Sequence, residues 1–126
     1  MATYEAAVHS ELTEAERTHR NEVLLVGRLA AGAEERTLPS GDVLCVWRLV
    51  VRRPSERGSR AIARAPGVDT LDCVSWRANV RRSASGWQSG DLVEVAGSLR
   101  RRFWRAGSAT ASRYEVEVRS ARRVRR

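Results

Sequence analysis

The stretch from Asp91 to Arg105 reads DLVEVAGSLRRRFWR and changes character halfway along. With the two-residue period of a strand, one face carries Val93, Val95, Gly97 and Leu99. The opposite face carries Glu94, Ala96, Ser98, Arg100, Arg102 and Trp104. Because an unpaired charge is costly to bury, we expect the first half to hold the core through Val93, Val95 and Leu99. The second half is expected to project as an arm that offers cations and a flat ring to a ligand.

The charge of the whole chain indicates the kind of ligand. The 126 residues contain 23 basic residues against 15 acidic ones, and every basic residue is an arginine. Residues 1–22 hold two arginines and five acids, so residues 23–126 hold 21 arginines and ten acids, a net charge of +11. Arginine binds phosphate with two parallel hydrogen bonds and stacks on flat rings. The composition therefore predicts a polyanionic partner.

Several other classes of protein are not expected from this sequence. It has neither an apolar run long enough to span a membrane nor a signal-peptide layout, so the default location is cytoplasmic and no membrane partner is expected. Cys45 and Cys73 lie inside apolar runs, which is typical of buried strand residues in a reducing compartment. The two histidines, His9 and His19, lie near the N-terminus and the acids are scattered. We therefore expect no catalytic set, no metal site and no cofactor.

The order of elements predicts a mainly β fold. Residues 1–20 are expected to form a flexible extension, and residues 21–126 one domain. Its predicted elements are strands over Val23–Ala31 (continued by Glu34–Leu38), Val43–Arg52, Thr70–Trp76, Asp91–Trp104 and Arg113–Val118, with a helix over Arg77–Ala84. Ala106–Ser112 is the expected tip of the last hairpin, and Tyr114 is expected to face inward. This order matches a five-stranded OB-fold Greek-key barrel with one short helix between strands 3 and 4 and an extended hairpin between strands 4 and 5.

An ordered set of motifs resembles the bacterial single-stranded DNA-binding protein family from Asn21 to about Val124. Its pieces are Asn21-x-Val23-x-Leu25-Val26-Gly27-Arg28-Leu29, Glu34-x-Arg36 with Pro39-x-Gly41, Val46-Trp47-x-Leu49-x-Val51, Cys73-Val74-x-Trp76, Gly90-Asp91-x-Val93-x-Val95-x-Gly97-x-Leu99-Arg100-x-Arg102-x-Trp104 and Glu115-Val116. The resemblance implies an OB-fold that wraps single strands and assembles through its first strand into a homotetramer or homodimer. It also implies that Trp76 and Trp104 stack on bases.

The sequence departs from the family in two places. Many members have another stacking aromatic near the start of the third strand, where this chain has Thr70 and Leu71. A neighbouring site that is commonly basic in the family is Asp72 in this chain. Stacking is therefore expected to be weaker and arginine to carry more of the affinity. Typical members also end in a flexible linker and an acidic tip, whereas this chain ends in ARRVRR. Recruitment of proteins through such a tip is not expected.

The candidate binding residues are two tryptophans and six arginines. Trp104 shares its face with two arginines and Trp76 ends a strand, so both are interpreted as stacking residues. The arginines, in order of preference, are Arg100, Arg102, Arg105, Arg48, Arg52 and Arg28. Loop arginines Arg53, Arg57, Arg60 and Arg64 are as plausibly solvated as bound. Trp47, Trp87 and Phe103 are interpreted as structural.

These patterns predict a sequence-tolerant single-stranded DNA-binding protein acting in replication, repair, recombination or DNA uptake. An RNA-binding OB-fold module is an alternative, because an arginine and aromatic groove does not by itself exclude a 2′-hydroxyl. A second alternative is an OB-fold interaction protein of a replication or primosome complex that binds strands weakly.

Overall fold

A computed structural model describes residues 13–54 and 67–126 of the chain. Its elements are α1 (Glu14–Thr18), β1 (Val23–Leu29), β2 (Glu34–Thr37), β3 (Val43–Arg52), β4 (Val68–Ser75), α2 (Ala78–Ala84), β5 (Leu92–Ala106) and β6 (Ala109–Arg125). Helix α1 lies in the segment that we expected to be an extension, and residues 1–12 of that segment are outside the described residues. Arg57, Arg60 and Arg64 are also outside them. No described helix is long and apolar enough to cross a membrane.

The strands form one sheet that closes on itself. Their order is β1-β5-β6-β4-β3-β2, and β1 also pairs with β3 through Arg28 opposite Val50 and Leu29 opposite Leu49. Strands β4 and β6 are parallel, and the other neighbours are antiparallel. The short Glu34 segment, which we predicted as a continuation of the first strand, is a strand of its own that pairs with β3. The predicted mainly β barrel with a short helix between β4 and β5 is confirmed.

The barrel interior is filled by alternate residues of β3 and β5 and capped by α2. Leu49, Val93 and Val95 are each 0% exposed, and Val80 of α2 packs into the same cluster. Trp47 and Trp87 are also buried, with ring centroids 5.2 Å apart and perpendicular planes. Edge-to-face packing of this kind is favourable because the positive ring edge meets the negative ring face. The prediction that both tryptophans are structural is confirmed.

Both cysteines are buried and free, as predicted. Burial raises the pKa of the Cys73 thiol to about 12, with smaller contributions from Asp72 and Glu115. Burial also raises the pKa of the Cys45 thiol. Because the thiolate is the reactive form, these side chains behave as small apolar residues of the core.

Two glycines allow close approach between strands. A Cβ atom on Gly97 would clash with the backbone carbonyl oxygen of Glu117, and one on Gly27 would lie 2.5 Å from the Val50 carbonyl oxygen. Gly97 follows a register shift between β5 and β6, and Gly27 lies where β1 closes onto β3. At these two positions, neighbouring strands approach so closely that only glycine fits.

The last hairpin differs from our prediction. Ala106 pairs directly with Ala109, so the turn consists of Gly107 and Ser108 and not of residues 106–112. Gly107 has a φ of 64°, and glycine at the first central position is what a two-residue II′ turn requires. Strand β6 continues to Arg125, well beyond the predicted end at Val118.

Three side chains that we expected to be structural are exposed. Leu99 is 45% exposed, Phe103 62% and Tyr114 58%. Their parity matches the core face of each strand, since Leu99 follows Val95 and Gly97, and Tyr114 precedes Val116 and Val118. The hairpin has left the barrel at this point, however, and in the described part of the chain no second layer covers that face. The predicted core positions of Tyr114 and Leu99 were wrong for this reason, and Phe103 is exposed as well.

Candidate nucleic-acid interface

We define the arm as residues 100–115 of the β5–β6 hairpin. It begins beside the N-terminal end of β1. The side-chain amide of Asn21 donates to the Leu99 carbonyl oxygen at 2.7 Å, and its side-chain oxygen accepts from the Leu99 backbone N–H at 2.8 Å. Asn21 thus continues the β1 edge for one more pair of hydrogen bonds. Beyond it, β5 pairs only with β6 among the described residues.

The β5–β6 register assigns each residue of the arm to one of two faces. Residues directly opposite each other in an antiparallel pair lie on the same side of the sheet. The Trp104 face consists of Arg100, Arg102, Trp104, Ala111, Arg113 and Glu115. The Phe103 face consists of Arg101, Phe103, Arg105, Thr110, Ser112 and Tyr114.

Every arginine of the Trp104 face has an acidic partner. Arg100 forms an ion pair with Glu117 at 3.2 Å. Arg102 and Arg113 share Glu115 at 3.6 and 3.7 Å. Because the Glu115 side chain is only 6% exposed, two cations compensate one nearly buried carboxylate. A phosphate that binds here must compete with these carboxylates.

A groove brings Trp76 together with two of the predicted arginines. Trp76 is 42% exposed and directly follows the last residue of β4. The groove is lined by Trp76, Val74, Arg100, Arg101, Arg102, Glu115 and Glu117. Trp104, 45% exposed, lies on the same face four residues beyond Arg100, about 13 Å further along the strand. One exposed indole therefore lies at the base of the arm and one near its tip.

A larger concavity lies next to this groove, across β2, β3, β4 and β6. Its charged lining residues are Glu34, Arg36, Arg48, Asp72, Arg113 and Glu115. The predicted binding residue Arg48 lies here, with its Nε 3.1 Å from the Asp72 carboxylate. Arg36 lies 3.4 Å from Glu34. The three arginines are thus balanced by three acids.

The C-terminal end of β3 carries two neighbouring arginines, Arg52 and Arg53, and only Arg53 has an acidic partner among the described residues. Arg52 is exposed there and forms no ion pair within residues 13–54 and 67–126. Its neighbour Arg53 donates to Asp69 through Nε at 3.1 Å and Nη2 at 2.7 Å. This pair lowers the pKa of the Asp69 carboxyl, mainly through the hydrogen bond from Arg53. Arg53 is therefore engaged with β4, and Arg52 stays a predicted binding residue.

Two predicted arginines lie apart from the grooves. Arg28 donates to the Gly90 carbonyl oxygen at 2.9 Å and so holds the turn before β5. Arg105 lies on the Phe103 face near the tip of the arm, where it is exposed and has no ion-pair partner among the described residues. The predicted set is thus divided: Trp76, Arg100 and Arg102 meet in one groove, Trp104 extends their face, and Arg48 lies in the adjacent concavity.

Sequence reasoning missed the residues of β6. Glu117 and Glu115 form ion pairs with the predicted binding residues Arg100 and Arg102. Arg113 shares Glu115 with Arg102 and also lines the larger concavity that contains Arg48. Alternation along β6 could have placed these three on one face, but only the register shows that they lie opposite Arg102, Arg100 and Ser98. Within the described residues, no group of His, Cys, Asp and Glu side chains has the arrangement of a metal site.

Comparison with known proteins shows what this chain is similar to. The model of the single-strand binding protein family matches residues 20–125. The single-stranded DNA-binding protein of Halalkalibacterium halodurans is 33% identical over 86 residues, which cover 67% of this chain and 48% of that protein. Single-stranded DNA-binding protein A of Bacillus subtilis is 33% identical over 84 residues, covering 65% of this chain and 45% of that protein. The chain thus spans about half the length of these relatives.

A solved structure shares the fold. The Plasmodium falciparum SSB in complex with ssDNA superposes with a TM-score of 0.67 at 19% identity, covering 82% of this chain and 91% of that one. At this level of identity the likeness concerns the fold, and it confirms the predicted OB-fold barrel.

Proposed function

This chain belongs to the single-strand binding protein family, and we propose that it binds single-stranded DNA without strong sequence preference. Arginines contact phosphates, and Trp76 and Trp104 stack on bases. Every base has a flat face, so stacking tolerates any sequence. The binding domain is residues 21–126, preceded by an extension over residues 1–20. Its expected place is the cytoplasm, on strands exposed in replication, repair, recombination or uptake.

The observation that carries this proposal is the groove shared by Trp76, Arg100 and Arg102. An exposed indole beside two guanidinium groups offers a base and its phosphates complementary partners in one place. Trp104 repeats the arrangement further along the same face, with Arg102 two residues before it. A DNA strand lying along this face would meet an indole ring at each end of a row of arginines.

Self-assembly is part of the proposal. The outer face of β1 exposes Leu24 at 69% and Val26 at 44%, next to Ala96 of β5. An apolar strand face of this kind favours pairing with a second copy. We expect a homodimer or homotetramer, which light scattering of the full chain measures directly.

A second candidate function follows from the acidic residues of the interface. With Arg48, Arg100 and Arg102 each facing a carboxylate, this surface of the free protein offers phosphates less uncompensated positive charge than its number of arginines indicates. This observation favours an OB-fold interaction protein with weak strand binding. The two candidates differ in their expected affinity for single-stranded DNA, which a titration measures.

Titration of tryptophan fluorescence with poly-dT, poly-rU and duplex DNA across a range of salt tests the proposal. Strong quenching and tight, salt-dependent binding to poly-dT are expected. If about six phosphates are neutralised, log K falls with log salt at a slope of about −4. Equal affinity for duplex DNA would contradict stacking and leave only a basic surface. Preference for poly-rU would support the RNA-binding alternative.

A further inference from the structure

We propose that the Phe103 face of the arm is a second binding face for the same single strand. The inference rests on the proposed function and extends it from one side of the hairpin to both. It assigns binding roles to Phe103, Tyr114 and Arg101, and it places the predicted binding residue Arg105 on the same face as these three.

The aromatic side chains of this face are arranged around one guanidinium group. The Arg101 Cζ atom lies 4.9 Å from the Phe103 ring centroid and 5.4 Å from the Tyr114 centroid. Arg101 Nη2 also donates to the Ser112 hydroxyl at 3.2 Å. These contacts hold a cation between two rings, and the rings nevertheless remain 62% and 58% exposed. The result is a preformed platform of two flat surfaces with a positive charge between them.

The charge of this face differs from that of the Trp104 face. Residues 99–105 and 110–116 are described throughout, and those on the Phe103 side include no acid. Within residues 13–54 and 67–126, Arg101 and Arg105 have no carboxylate partner, whereas Arg100 and Arg102 each have one. In the free protein, the cations of the Phe103 face are therefore less compensated than those of the Trp104 face.

These features favour a polyanion with flat rings as the occupant. An apolar protein surface would cover Phe103 and Tyr114 but would desolvate Arg101 and Arg105 without partners, which is costly. A single strand satisfies both groups at once, since its bases stack on the rings and its phosphates pair with the guanidinium groups. Charge complementarity therefore selects single-stranded nucleic acid over a second copy of this chain.

The shape of the arm lets one strand reach both faces. Beyond Leu99, the β5 edge is not covered by another described strand, because Asn21 makes the last pair of hydrogen bonds there. Because the arm is a single layer of two β-strands, a DNA strand that leaves Trp104 can turn around the tip at Gly107 and continue over Phe103. A short DNA strand would contact only the face with Trp76 and Trp104, and only a longer DNA strand would reach the Phe103 face.

The test compares strand lengths in the Phe103→Ala, Tyr114→Ala double variant of the full chain. Affinity is measured for an oligo-dT of about six nucleotides, within the site size of one OB-fold, and for one several times longer. We expect the double variant to lose about tenfold or more on the long strand and less than twofold on the short one. The matched control is Leu38→Ala, Val68→Ala, which removes two exposed apolar side chains elsewhere and should leave both affinities unchanged.

Each outcome decides between distinct accounts. Unchanged affinity of the double variant for both lengths would overturn the second face while leaving the proposed function intact. Equal loss on both lengths would place the rings in the same site as Trp104 and would also overturn it. Loss of oligomeric state in light scattering with unchanged affinity would make the surface a contact between copies. If the wild type bound neither oligo-dT, the proposed function would fail first.

Discussion

The two halves of β5 both pair with β6, but only the barrel half also pairs with β1 and has its side chains covered. From Val93 to Gly97, alternate residues are completely or nearly buried between sheet and helix. From Arg100 to Ala106, every residue is exposed, although the pairing with β6 continues without a break. Pairing with β6 is common to both halves, so the difference lies in what only the barrel half has, which is β1 at its other edge and a packed layer over its inner face.

This contrast shows how one strand can serve stability and binding separately. The barrel half is close-packed, so changes there alter the free energy of unfolding. The arm has few apolar contacts to lose, so changes there leave stability nearly constant and alter affinity. Variants on the two sides of Leu99 therefore separate the two roles.

The largest effect is expected from Gly97→Ala in the barrel half. The added methyl group would clash with the Glu117 carbonyl oxygen, so β5 and β6 must separate at their register shift. Backbone displacement of this kind is expected to cost more than about 3 kcal/mol in the free energy of unfolding. Chemical denaturation measures it.

The matched control for this change is Gly32→Ala. A Cβ on Gly32 would lie 3.5 Å from the Trp87 carbonyl oxygen, which is an ordinary contact, so stability should change little. Equal effects of the two variants would contradict the close approach at Gly97.

The next comparison uses one tryptophan from each region. Trp47→Ala leaves a cavity in the core, and we expect it to lower the free energy of unfolding by about 3–5 kcal/mol. Trp104→Ala removes an exposed ring and is expected to leave Tm unchanged while weakening poly-dT binding by about 1–3 kcal/mol. Thermal unfolding and fluorescence titration of both variants check this. Exchanged effects would mean that the two faces are assigned the wrong way round.

The smallest effect concerns the acids of the interface. Glu117→Gln removes the partner of Arg100, so a phosphate no longer competes with a carboxylate. We expect affinity for poly-dT to rise by up to about 1 kcal/mol, since exposed ion pairs are worth about this much.

Glu94→Gln is the matched control for Glu117→Gln. Its partner Arg122 lies at the same 3.2 Å, but on the barrel half beside β1. Binding isotherms at one salt concentration should show no gain for this variant. A gain of equal size would indicate a general effect of net charge and not a local one.

The alternation of β5 was enough to predict the core residues Val93 and Val95 and the shared face of Arg100, Arg102 and Trp104. Period-2 patterning reports which side of a strand a residue occupies, and the structure confirms that part. It does not report where the barrel ends. Leu99 and Tyr114 therefore have the parity of core residues and yet are exposed.

The ion pairs of the interface could not be predicted in the same way. They depend on the register between β5 and β6, which is set by the turn at Gly107 and Ser108. Small residues on both sides of this turn leave several turn positions equally plausible in the sequence. With the tip placed at residues 106–112, the pairing of Arg100 with Glu115 and of Ser98 with Glu117 could not be read from the sequence.

Amide hydrogen exchange along β5, with and without saturating oligo-dT, tests the division of this strand most directly. In the free protein, we expect strong protection at residues 93–97 and weak protection at residues 100–105, because the arm opens locally without exposing a core. Binding should then increase protection in the arm and leave the barrel half unchanged. Protection that is already uniform in the free protein, or that increases only in the barrel half on binding, would contradict the account.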